Sequence, residues 1–141
     1  MTAKLDDIVE LCDEIEECYE FMLAYAAQGL SGDQGSGPGT RLRELLSRAA
    51  HAASGLAGTY AGIVRELRLE PVERYHAFLA VLERDAANAL AAVELVLAQP
   101  RLSSQLIDNL NASIHIRTLL TDMFLIDEIV KLRQTSCESS D

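Results

Sequence analysis

Apolar residues return every three or four positions through four long stretches of this chain, and a period near 3.6 sustained that far commits it to helices. The first stretch runs from about Thr2 to Gly29, with Leu5, Ile8, Cys12, Ile15, Tyr19, Met22 and Ala26 on one face. The second, from about Thr40 to Leu69, aligns Leu42, Leu46, Ala49, Ala53, Leu56, Tyr60, Val64 and Leu67. The third, from Pro71 to Ala98, aligns Val72, Tyr75, Leu79, Leu82, Ala86, Leu90, Val93 and Leu97. The fourth begins near Ser103 or Ser104 and continues to about Arg133. Leu and Ala fill 41 of 141 positions and Trp is absent, which favours helix over sheet.

The punctuation agrees. Thr40 and Ser103 or Ser104 suit N-caps, and Pro71 suits a first helical position, where a missing N–H costs nothing. Gly29 to Gly39 holds five of the eight glycines and Pro38, and reads as a flexible surface loop. No strand precedes that loop and no Lys-Ser/Thr pair follows it, so it is no phosphate-binding loop. The other two connections are short, which makes successive helices antiparallel neighbours. The expected fold is all-α, an up-down-up-down four-helix bundle in one domain over 1–133, followed by a disordered polar tail at 134–141.

Charge narrows the function classes. The formal net charge of −10 argues against nucleic acid, whose phosphates call for a basic patch. The longest uncharged run, Ala49 to Val64, carries His51, Ser54 and three glycines and does not read as a membrane span. The acidic start, Lys4-Leu5-Asp6-Asp7, shows no apolar leader. Cys12 and Cys18 lie roughly 120° apart around one helix and cannot bridge each other, Cys137 sits in the polar tail, and none belongs to a C-x-x-C pair. Reduced thiols and a cytoplasmic location follow as the expectation.

Two faces invite an interface. On the fourth helix, Leu106, Leu110, Ile114, Phe124 and Leu125 make one stripe that can face the core. A second stripe, Ile116, Leu119, Met123, Ile126 and Val130, lies nearly opposite and would meet water in a monomer, so it is expected at a homodimer contact unless neighbouring helices cover it. On the second helix, Gly55, Gly58 and Gly62 line the back face beside His51. Each internal glycine costs about 1 kcal/mol relative to Ala, and three together suit a close helix contact between subunits. Arg117 falls within the first stripe of the fourth helix and needs a carboxylate, for which Glu14 is the best placed and Glu16 the next.

The segment Arg48-Ala49-Ala50-His51-Ala52-Ala53-Ser54-Gly55 resembles the motif of histidine-containing phosphotransfer domains, which are also four-helix bundles. That resemblance implies His51 as phosphoacceptor, with Gly55 leaving room beside the imidazole. Ser54 stands where the family has a Lys, which removes a charge that would steady a phosphoryl group. A ferritin-like metal site is a further alternative, but it needs two Glu-x-x-His motifs, and only Glu73-Arg74-Tyr75-His76 has that spacing. Glu73 points away from the core, and His76 and His115 only flank it. No Ser-His-Asp or Cys-His set shares a face. The first helix carries Asp6, Asp7, Glu10, Asp13, Glu14, Glu16, Glu17 and Glu20, a solvated face or a docking surface for a basic protein. The leading reading is therefore a non-enzymatic, acidic, homo-oligomeric interaction protein (an adaptor, regulator or assembly factor) with no cofactor and no metal. Phosphotransfer through His51 and a ferritin-like metal protein are the alternatives.

Overall fold

A computed structural model describes residues 2–35 and 37–139, with side chains at 5–35 and 37–134. Among them there are helices and no strands: α1 (Thr2–Ala26), α2 (Gly37–Glu66), α3 (Val72–Leu97), α4 (Ser104–Ala112) and α5 (His115–Ser139). α2 packs between α1 and α3, α5 closes the gap between α3 and α1, and α4 lies chiefly on α1. The buried side chains form one core running from Ile8 to Val130.

Five helices stand where the periodicity predicted four, because the last one breaks at Ser113–Ile114. The Ser113 hydroxyl donates to the Leu110 carbonyl at 2.6 Å, and the Ser113 N–H reaches back to Asn109 and Leu110. Ile114 then takes a left-handed conformation with φ of 62°, uncommon for a β-branched residue, and its carbonyl accepts from Thr118 N–H to start α5. One left-handed residue resets the helical phase, so a helical wheel drawn unbroken through 104–133 assigns the wrong side of α5 to the core.

That reset corrects three expectations. Ile116, Leu119, Met123, Ile126 and Val130 are buried within the single chain, Met123 completely, so neighbouring helices cover the stripe that was expected to meet water at a homodimer contact. Phe124 and Leu125, expected inside, are each 51% exposed, and Ile114 is exposed too, whereas Leu110 on α4 stays buried. Arg117 points to solvent and makes no ion pair with Glu14, which is only half-buried on α1, nor with Glu16. The end of α5 also differs: the helix continues past Arg133 to Ser139, where a disordered tail was expected, while 140–141 and the Cys137 side chain lie outside the described residues.

The glycine-rich loop is not a loose surface strap but a latch. Asp33 is 6% exposed; its carboxylate accepts from Leu102 N–H at 2.7 Å and pairs with the Arg43 Nε. Arg43 donates as well to the Leu97 and Gln99 carbonyls, at 3.2 and 3.0 Å. Ser104 joins the same end: its hydroxyl donates to the Tyr25 carbonyl at 2.7 Å and accepts from Leu30 N–H at 2.8 Å. The Tyr25 hydroxyl donates to the Leu102 carbonyl at 2.6 Å. Loop, α2 and the α3–α4 turn are thereby tied together. The tie leaves no space at Gly39, where a Cβ would collide with the Asp33 backbone. α2 accordingly starts at Gly37, with Thr40 already inside it, while Ser103 caps α4 by accepting from Leu106 N–H at 3.0 Å.

Candidate functional site

α2 turns Leu42, Leu45, Leu46, Ala49, Ala52, Leu56, Tyr60 and Ile63 into the core, which leaves Ser47, Arg48, His51, Ser54, Gly55 and Gly58 facing out. His51 is exposed, as phosphotransfer would require, and nothing lies within 4 Å of a Cβ built at Gly55. Ser54, in the place of the family's Lys, uses its hydroxyl on the His51 carbonyl at 2.6 Å. It is therefore tied to backbone rather than aimed at the imidazole ring.

Gly55 and Gly58 behave alike and Gly62 does not. A Cβ at Gly58 also meets nothing, so neither open glycine is required by packing inside the chain. Gly62 is buried in the chain and has no place on the outer surface, which corrects its assignment to an interface. Beside Gly58, α2 and α3 part to form a groove of about 550 Å³. Its α2 wall is Ala53, Ser54, Ala57, Gly58 and Ala61, and its α3 wall combines Ala80, Ala86 and Ala87 with His76, Leu79, Glu83 and Leu90. Such small side chains let a second helix approach closely, since interaxial distance is set by the residues at the contact.

The electrostatics of this face differ from those of α1. α2 carries Arg41, Arg43, Arg48 and Arg65 against Glu44 and Glu66. On α1, Asp6, Asp7, Glu10, Asp13, Glu17 and Glu20 are exposed and Glu14 and Glu16 half-buried. Arg41 offsets part of that charge through Glu17 at 2.7 Å.

The other candidate chemistry is not assembled. Glu73 and His76 are exposed and His115 is half-buried, and among the described residues no three His, Cys, Asp or Glu side chains stand close enough to share a metal ion. Burial pushes the Cys12 thiol up to about 11 and the Cys18 thiol up to about 12, so both are protonated at neutral pH and poor nucleophiles. Cys12 Sγ sits 3.8 Å from the Tyr60 hydroxyl, and Cys18 donates to Met22 Sδ at 3.7 Å. Among the described residues no helix is long and apolar enough to cross a membrane.

Two acids with buried carboxylate oxygens escaped the sequence reading. Asp33 is one. The other is Asp122 on α5, whose Oδ2 is buried without a hydrogen-bond donor. Burial, then a hydrogen bond shared with the Asp85 carboxyl of α3 and the charge of Asp85, push Asp122 up to about 7. Once the phase break is known, Asp122 is visible as the neighbour of Met123 on the inward side of α5; without it, the position reads as surface. Comparison of the chain with protein-family models, with curated proteins and with solved structures finds no match.

Proposed function

We propose that this chain is a non-enzymatic interaction protein that pairs with a second copy of itself through the α2–α3 face. The observation that carries the reading is the open space at Gly55 and Gly58 beside a groove walled by alanines. Two helix-destabilising residues on an exposed face with no internal role are best accounted for by a contact outside the chain. α2 of each copy would lie in the other's groove around a two-fold axis, the commonest oligomer symmetry. Among the described residues Glu83 is the one acidic side chain lining this groove, so a second acidic chain meets less repulsion here than at α1.

In this reading the fold is an antiparallel four-position bundle in which α4 and α5 share the fourth position. The acidic surface of α1 stays outside the contact and open to a basic protein, as suits an adaptor, regulator or assembly factor of the cytoplasm. Sedimentation velocity tests it: the protein should run as a dimer at micromolar concentration, and Gly55→Arg with Gly58→Arg should give a folded monomer. A monomeric unmodified protein would overturn it.

The exposure of His51 and the clearance at Gly55 favour a second reading, transfer of a phosphoryl group between a receiver aspartate and the His51 imidazole. Incubation with a phosphorylated receiver should then leave acid-labile phosphate on the protein and none on His51→Gln. Absence of label on the unmodified protein would end that reading.

A further inference from the structure

On a different seam, the outer sides of α3 and α5 leave a groove of about 310 Å³. The apolar lining that makes its floor includes Tyr75 and Phe78 of α3 with Leu125, Ile126 and Ile129 of α5, and Arg74 and Arg133 also line it. We infer that this groove binds a small anionic amphiphile, a carboxylate head on an aliphatic or aryl tail.

The polarity of the groove follows from the direction of the helices. Arg74 and Arg133 lie at the start of α3 and toward the end of α5, and both line this groove, so the two guanidinium groups gather at one end. Phe78 follows Arg74 on α3 and Leu125 precedes Arg133 on α5, so both lie away from that end. An anionic head therefore meets the arginines while its tail runs along the floor.

The charge is available. Among the described residues neither Arg74 nor Arg133 has a carboxylate partner, and Arg133 uses one N–H on the Glu70 carbonyl at 2.9 Å. A guanidinium has five N–H donors, which leaves Arg133 able to grip a carboxylate. In a chain of net charge −10, an apolar groove whose charged lining among the described residues is two arginines without carboxylate partners is selective for anions.

Size decides between a small molecule and a helix. Tyr75 to Phe78 spans about 4.5 Å of α3 and Leu125 to Ile129 about 6 Å of α5. A docking helix presents apolar anchors at i, i+4 and i+7 over roughly 10 Å; the full lining from Leu125 to Arg133 is about that long, but its apolar part on α5 ends at Ile129 and the remainder is arginine. The volume lies at the lower end of the range for small-molecule sites, about 300–1,000 Å³.

Calorimetric titration with sodium octanoate, and with 1-octanol as its uncharged counterpart, tests the assignment. Octanoate should bind saturably, with octanol at least tenfold weaker. Arg74→Glu with Arg133→Glu should lose at least tenfold in octanoate affinity, whereas Arg84→Glu with Arg48→Glu, the same charge change away from the groove, should leave it unaltered. Equal binding of octanoate and octanol, an unaffected double variant, or no saturable heat at millimolar octanoate would overturn the proposal. So would conversion of a dimer to a monomer by Leu125→Glu, because a second copy would then own the groove.

Discussion

Two inward-facing aspartates of this chain meet opposite fates. Asp33 lies in a loop rich in glycine, yet the Arg43 guanidinium and the Leu102 N–H both donate to its carboxylate. The Arg43 hydrogen bond, outweighing burial, holds its carboxyl below the usual 3.8. Asp122 lies on a regular helix, yet its neighbour is another carboxyl, Asp85, and burial together with that neighbour holds its proton up to about 7. Burial alone thus says nothing about whether an acid fastens a fold or loosens it. The partner decides, and the partner comes from another element.

The sharpest way to break the comparison is to remove the fastened acid. Asp33→Ala leaves the Leu102 N–H without its acceptor and the Arg43 guanidinium without its counter-charge. Urea unfolding should show a loss of about 3 kcal/mol. A loss below about 0.5 kcal/mol, the scale of an ordinary surface substitution, would mean that the latch is incidental.

The loosened acid should respond to pH in the opposite sense. Asp122 has a folded value raised above its unfolded one, so its contribution is fully present below about pH 4 and is lost as pH rises through about 7. Asp33 has a lowered value, so its contribution is present above about pH 4 and is lost as pH falls below that. Stability should therefore peak on the acid side of neutrality. Asp122→Asn keeps a donor toward Asp85 without the charge and should be more stable than the unmodified protein at pH 8, by about 1 kcal/mol. At pH 5 the gain should vanish. Equal melting curves of the two proteins at both pH values would contradict the shared proton.

The smallest effect belongs to the residue that brings Asp122 to Asp85 by resetting the phase of α5. Ile114→Gly removes the left-handed penalty of a β-branched side chain that is 55% exposed, and so loses little packing. It should be neutral to stabilising, by up to about 1 kcal/mol, in thermal unfolding. A clear destabilisation would show that Ile114 packs where it is drawn exposed.

The helical class, the placement of α1 to α3 and most of the core were legible because an amphipathic period survives any rearrangement of neighbours. The break at Ser113–Ile114 was not, since neither Gly nor Pro marks it. Its signal is only the run Asn111-Ala112-Ser113, whose polar members compete for backbone hydrogen bonds. Missing it inverted the faces of α5 and, with them, the expected interface and the Arg117–Glu14 pair. The latch was illegible for another reason: Asp33 and Arg43 are ten residues apart, but their further partners come from 97–102, and no local pattern announces a contact that distant. At the candidate site, the exposure of His51 and the anomaly of Gly55 and Gly58 could be read directly. Gly62 could not, since its burial depends on what packs over it.

The central claim, that the α2–α3 face is where two copies meet, is tested most directly by isotope-filtered NOE spectroscopy on an equal mixture of ¹³C-labelled and unlabelled protein. Intermolecular NOEs should join the methyl groups of Ala57 and Ala61 to those of Ala80 and Ala87. Intermolecular NOEs confined to Leu125 and Leu132, or none in a protein that sediments as a monomer, would contradict it.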